Sequence, residues 1–247
     1  MSHILLSNIS NPALVDEPLH IQVAGLAPGQ EVTVAAHMVD GAGRGWSSSA
    51  TCMADEAGAV DLATAVPLAG SYEGADAMGL FWAMAPDATE DEIAPFTLRG
   101  LEPLDATLTA TVEGEPVACA AVERRWLAPG VTRTEVRERG LVGVFFQPGG
   151  SRPHPAVLAL GGSSGGLREH QAALLASHGV AALALAYFGV EGLPARLANI
   201  PLEYFATALE WLAGQRAVRS ERIAALGISR GAELALLLGS TYPRIGS

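Results

Sequence analysis

Lysine is absent from this 247-residue chain: its 15 basic residues are all arginine, against 26 acidic ones, for a net charge of −11 at pH 7. That balance excludes a broad basic surface for nucleic acid or anionic lipid. Cysteine is scarce as well. Cys52 and Cys119 cannot build a disulfide framework, and neither has a Cys or His at metal-ligand spacing, so no metal site is expected and both read as small core residues. The longest strongly apolar run, residues 180–188, falls far short of the roughly 18 residues a membrane-spanning helix needs. Residues 1–8 lack the basic stretch followed by an apolar one that marks a secretory signal, which leaves a soluble, cytoplasmic protein as the expectation.

What the chain has is apolar material, 49% of its residues, enough for a sizeable core and too much for intrinsic disorder. From residue 15 to about 122 the apolar positions recur with a period near two, the mark of half-buried strands. Leu19, Ile21 and Val23 alternate with polar neighbours, Gly25-Leu26-Ala27-Pro28-Gly29 breaks the run, and Val32, Val34 and Ala36 resume it, which reads as a hairpin. Ala106, Leu108, Ala110 and Val112 alternate with threonines before Glu113-Gly114-Glu115-Pro116 turns the chain into residues 117–122, a second hairpin. Short strands without helices over about a hundred residues suggest a β-sandwich.

Past Arg124-Arg125-Trp126 the pattern changes to apolar strands (155–160, 181–187, 223–228) alternating with helical segments. Residues 167–177 read as one helix, and Leu202, Phe205, Leu209 and Leu212 form the apolar stripe of another. The boundary falls near residue 125, giving a β-sandwich over residues 1–124 and an α/β layer domain over 125–247.

Chemistry points to Gly227-Ile228-Ser229-Arg230-Gly231, a G-x-S-x-G that follows an apolar strand and precedes a good helix former. In that context the serine sits on a strained strand-to-helix turn with its hydroxyl exposed, and the N–H of the next residue, Arg230, can face a developing oxyanion. A second match, Gly161-Gly162-Ser163-Ser164-Gly165, also follows a strand. In the arrangement of this motif an earlier glycine-rich loop supplies the other oxyanion N–H and the nucleophile comes later. Chain order therefore assigns Ser229 as nucleophile and Gly162 and Ser163 to the oxyanion loop. Both could also be ordinary Gly/Ser helix starts. All six histidines precede Ser229, and His170 and His178 read as surface or packing residues. Asp55, Glu191 and the cluster Asp87-Ala88-Thr89-Glu90-Asp91-Glu92 read as loop and turn carboxylates.

Several segments together resemble one family. Asp16-Glu17-Pro18-Leu19, Pro67-Leu68-Ala69-Gly70-Ser71-Tyr72 and Met78-Gly79-Leu80-Phe81-Trp82-Ala83-Met84 are similar to the N-terminal β-sandwich of the acyl-CoA thioesterase and bile acid-CoA:amino acid N-acyltransferase family. Leu127-Ala128-Pro129-Gly130-Val131, the run from Ala182 through Phe188, Glu191-Gly192-Leu193-Pro194, Leu202-Glu203-Tyr204-Phe205 and the Ser229 motif continue the likeness into that family's α/β-hydrolase domain. Arg230 stands where the family usually has lysine, and Ala232 where a second glycine is common. The resemblance implies acyl transfer from a coenzyme A thioester through an acyl-enzyme, with coenzyme A as part of the substrate and no separate cofactor. Amide-forming members usually carry a cysteine nucleophile, so Ser229 favours hydrolysis.

In this fold the triad runs Ser, then Asp or Glu, then His. Only 18 residues follow Ser229, so the acid and base are expected beyond residue 247 and the hydrolase domain is expected to be incomplete, with an exposed sheet edge. The readings left open are an acyl-CoA thioesterase, an N-acyltransferase, a non-catalytic interaction fragment, and a general carboxylesterase resembling dienelactone hydrolase. Acyl chain length and oligomeric state are left open too.

Overall fold

The computed structural model describes residues 4–87 and 95–246, so His3 and residues 88–92 of the acidic cluster lie outside the described residues. The chain divides into two compact units between Arg125 and Trp126. In the first, the strands are β1 (Leu5–Ser7), β2 (Ala13–Leu14), β3 (Gln22–Ala24), β4 (Glu31–Val39), β5 (Gly45–Met53), β6 (Ala59–Asp61), β7 (Ala69–Gly70), β8 (Ala85–Pro86), β9 (Leu104–Val112) and β10 (Glu115–Arg125), with a one-turn helix α1 (Gly79–Trp82). They form a three-stranded sheet, β1-β3-β6, and a seven-stranded one, β2-β10-β9-β4-β5-β7 with β8 beside β5. Alternation builds the core between them. Val32, Val34, Ala36 and Met38 of β4, Ala50 and Cys52 of β5, and Ala106, Leu108 and Ala110 of β9 join Leu19, Ile21, Val23, Val60 and Leu62 in one buried cluster.

The β9–β10 hairpin forms as expected, closing through Glu113 and Gly114, both at positive φ. The first hairpin does not form. β3 pairs with β1 and β6, whereas β4 pairs with β5 and β9, so residues 25–30 carry the chain from one sheet to the other. Alternation tells which face a residue takes and is silent on which strand it joins. Cys119 is a second correction. Cys52 is buried, but Cys119 lies on the outward face of β10 opposite Thr109 and is exposed. Arg124, expected at the boundary, is instead 2% exposed: it donates to the carbonyls of Val15 (3.0 Å) and Glu17 (2.8 Å) and lies over the Phe81 ring.

The second unit holds β11 (Thr132–Val136), β12 (Val142–Gln147), β13 (His154–Leu160), α2 (Glu169–Ser177), β14 (Ala181–Ala186), α3 (Leu202–Ala213), β15 (Val218–Gly227) and α4 (Arg230–Thr241). The sheet order is β11-β12-β14-β13-β15, with the first two strands antiparallel and the last three mutually parallel. This is an α/β-hydrolase sheet. β14 is buried along its whole length, as a strand covered on both faces must be. Leu158, Leu160, Leu183 and Leu185 cluster with Phe205, Leu209 and Leu212 of α3 and Leu238 of α4. Ala182 and Ala184 alternate to the other face. On the edge away from β13, the one bridge β15 makes among the described residues joins Ile223 to Ile245 in parallel, and Gly246 N–H donates to Ile223 O at 3.2 Å.

Candidate active site

The parallel register aligns the ends of two neighbouring strands: Leu160 of β13 pairs with Gly227 of β15. Both G-x-S-x-G segments therefore leave the sheet side by side at its carboxyl edge, where open α/β sheets place their ligands. They leave it differently. Ser229 takes φ 57°, ψ −124° and caps α4, which starts at the next residue. An L-residue there is strained, at a cost of roughly 1–3 kcal/mol that surrounding structure must offset. Ser163 is not among the residues at positive φ, and α2 begins only at Glu169.

The turn around Ser229 is closed by Gly231 N–H to Ile228 O (2.9 Å) and Ala232 N–H to Ser229 O (2.9 Å). Its glycines are dictated by backbone proximity. A Cβ at Gly227 would overlap the carbonyl of Gly231, and one at Gly231 would overlap Gly161 O and sit 2.7 Å from Leu160 O. The β13 loop also approaches the elbow, less tightly. A Cβ at Gly162 would lie 3.0 Å from Ile228 O and from Ser229 Cβ, and 3.4 Å from Ser229 Oγ. The geometry thus brings Ser229, Arg230 and Gly162 together, with Ser163 the next residue along the loop. Among the described residues no hydrogen bond engages the N–H of Ser163 or of Arg230.

Ser229 is exposed, and among the described residues no histidine or carboxylate is hydrogen-bonded to its hydroxyl. In the same unit His154 Nδ1 meets Gly179 O at 3.0 Å and His170 stands edge-on against Trp126. The Arg230 guanidinium is paired on the surface with Glu233 at 2.7 Å. No group of three or more His, Cys, Asp or Glu among the described residues could hold a metal ion, and no helix among them is long and apolar enough to cross a membrane.

Two side chains that sequence reasoning passed over back the loop. Tyr187, 3% exposed, donates its hydroxyl to Gly161 O at 2.5 Å. The Arg168 side chain lies close by: its Nε is buried without a hydrogen-bond partner, 3.4 Å from where a Gly161 Cβ would be. Burial pushes the Tyr187 phenol up, against the opposing pull of the Arg168 cation, so the hydroxyl keeps its proton. The one sequence signal for Tyr187 was a polar-tipped ring directly after an otherwise apolar buried strand.

Comparison with known proteins decides the family. The model for the acyl-CoA thioester hydrolase/BAAT N-terminal region matches residues 16–138, and that for the BAAT/acyl-CoA thioester hydrolase C terminal matches residues 200–247. The chain belongs to the acyl-CoA thioester hydrolase/BAAT family. It is 42% identical over 231 residues to acyl-coenzyme A thioesterase 6 of Mus musculus, covering 91% of this chain and 54% of that protein. It is 38% identical over 249 aligned positions to the bile acid-CoA:amino acid N-acyltransferase of Mus musculus, covering 97% of this chain and 59% of that protein. This family member thus spans somewhat more than half the length of the curated relatives it matches. Among solved structures, a 2,6-dihydroxy-pseudo-oxynicotine hydrolase is 27% identical over 49% of this chain and 36% of its own, with a TM-score of 0.39.

Proposed function

We propose that this family member serves in hydrolysis of fatty acyl-CoA thioesters to free acid and coenzyme A, with Ser229 as nucleophile. The observation that carries the reading is the backbone of Ser229 at φ 57°, ψ −124°, a strained conformation that aims an exposed hydroxyl outward beside Gly162 and the N-terminus of α4. Ser229 Oγ attacks the thioester carbonyl. The N–H groups of Arg230 and of the Gly162–Ser163 segment receive the oxyanion, the thiolate of coenzyme A leaves, and water releases the acid from the acyl-serine. The attack needs a base to take the Ser229 proton, and among the described residues none is hydrogen-bonded to that hydroxyl. Coenzyme A enters as part of the substrate, and no other cofactor is assigned. A cytoplasmic setting is supported by the two free cysteines.

The second reading, transfer of the acyl group to an amine, is favoured by the N-acyltransferase relative, which this chain matches along 97% of its length. The serine argues against it, because an acyl-serine ester is attacked by amines less readily than a thioester. The decisive experiment follows thiol release from a long-chain acyl-CoA by the complete gene product and by its Ser229→Ala variant, with mass-spectrometric search for N-acyl glycine or taurine. Hydrolysis lost in the variant supports the first reading. Full activity in Ser229→Ala overturns the nucleophile assignment, and N-acyl product from the unaltered protein moves the function to the second reading.

A further inference from the structure

We infer that Tyr187 is a positioning residue for the oxyanion loop: its hydroxyl, bound to Gly161 O, fixes the direction of the Gly162 N–H. The inference rests on the thioesterase reading only for its substrate, since an oxyanion loop serves any acyl chemistry at Ser229.

The Gly161–Gly162 peptide is planar and trans, so its carbonyl and its N–H point in opposite directions, and holding one holds the other. Nothing in the loop does this locally. Glycines flank that peptide on both sides and Gly165-Gly166 follow, so its rotation meets little steric resistance. Tyr187 supplies the constraint from outside the loop. It sits one residue past β14, and the neighbouring strand pairing aligns Leu160 with Leu185, so the phenol reaches across as the two chains part. Its ring is itself clamped, edge-on to Phe188 (5.2 Å) and Phe205 (5.5 Å). The carbonyl it holds is also the one against which Gly231 of the elbow helix packs. A single acceptor atom thus joins the end of β14, the loop and the nucleophile turn. Among the described residues no other donor reaches Gly161 O.

The test uses the complete gene product and reads two rates: kcat for acyl-CoA hydrolysis, and phosphonylation of Ser229 by a fluorophosphonate, which needs the oxyanion hole and no acyl-CoA. Loss of one oxyanion donor outright costs about 10²–10³-fold in kcat, so a donor left free to turn away should cost about 10–100-fold. Tyr187→Phe keeps the ring and is expected to lower both rates by about that factor with KM within about twofold, because substrate contacts are untouched. Replacing Tyr187 with 3,5-difluorotyrosine keeps shape and hydroxyl but makes the phenol more acidic. It is expected to match the unaltered protein at low pH and to show an alkaline fall in phosphonylation that the unaltered protein lacks as the donor ionises. This second variant also decides the matter should Tyr187→Phe fail to fold. Phosphonylation unchanged within about twofold in folded Tyr187→Phe, or a difluorotyrosine pH profile identical to that of the unaltered protein, overturns the inference. If acyl-CoA is not hydrolysed but phosphonylation still depends on Tyr187, the positioning role stands and the substrate reading fails.

Discussion

The backbone of Ser229 makes a quantitative claim that two substitutions can separate from its chemistry. At φ 57°, ψ −124° an L-residue lies outside its allowed regions, whereas for achiral glycine the same angles are the mirror image of −57°, +124°, an ordinary extended conformation. Ser229→Ala and Ser229→Gly both remove the hydroxyl, which has no hydrogen bond among the described residues, so neither loses a stabilising contact through it. Only the glycine variant releases the strain, about 1–3 kcal/mol. Against that stands the extra freedom of glycine in the unfolded chain, about 0.4–1 kcal/mol. The glycine variant is therefore expected to be the more stable of the two by about 1 kcal/mol, a urea midpoint higher by about 0.5 M for an m-value near 2 kcal/mol/M. Exchange of the buried β13 and β14 amides during unfolding reports the second unit alone. The same pair of changes at Ser163, which is not at positive φ, should give the opposite order. Ser229→Gly no more stable than Ser229→Ala would refute the strained elbow.

Other positions test the surrounding parts. Gly162→Ala forces Ile228 O or Ser229 to yield by a few tenths of an ångström, and hydrolysis should fall about 10–100-fold while the unfolding midpoint barely moves, because the shift falls on the reacting groups. Arg124→Ala leaves the Val15 and Glu17 carbonyls without their donor and a hole over Phe81; denaturant unfolding of the sandwich should show a loss of about 2–4 kcal/mol, with Arg124→Met recovering part of it by filling the space. Burial alone would raise the Asp40 carboxyl, but the main-chain N–H and side chain of Arg44 and the N–H groups of Thr97 and Ala42 outweigh it and hold the group well below the ordinary carboxylate range. With the folded value depressed, its stabilisation is present above about pH 4 and is lost as pH falls through the acid range. The stability gap between the unaltered protein and Asp40→Asn should therefore narrow below about pH 4, and a constant gap would contradict the assignment.

The parts legible in the sequence are those that a local pattern determines. Period-two alternation placed the core faces of β4 and β9, an unbroken apolar run marked β14 as covered on both sides, and the stripe from Leu202 to Leu212 placed α3. Pairing partners were not legible, because Val23 carries the same alternation whether its neighbour is β4 or, as the structure has it, β1 and β6. Nor were Arg124 and Asp40: a charged residue reads as surface until its partners are known, and those of Arg124 lie 107 and 109 positions away. At the candidate site, spacing supplied Ser229, Arg230 and the Gly162–Ser163 segment. Tyr187 escaped because its partner is a main-chain carbonyl, which no residue type announces.

The two G-x-S-x-G segments show why spacing alone was ambiguous and where the ambiguity ends physically. In the Ser229 segment both outer glycines are required by backbone they cannot avoid, Gly231 O for Gly227 and the Leu160 and Gly161 carbonyls for Gly231. In the Ser163 segment the first glycine meets nothing closer than Arg168 Nε at 3.4 Å and the carbonyls of Gly165 and Gly166 at 3.5 Å, and it is not at positive φ. Gly161→Ala should therefore cost no more than about 1 kcal/mol, since an added methyl at ordinary contact distance needs no rearrangement. Gly231→Ala must push α4 away from the β13 loop, with a loss of stability above about 3 kcal/mol and of Ser229 phosphonylation together. Comparing unfolding midpoints of the two variants is enough. Equal costs would mean that α4 does not pack against Gly161 as described, and the close-packed elbow around Ser229 would not stand.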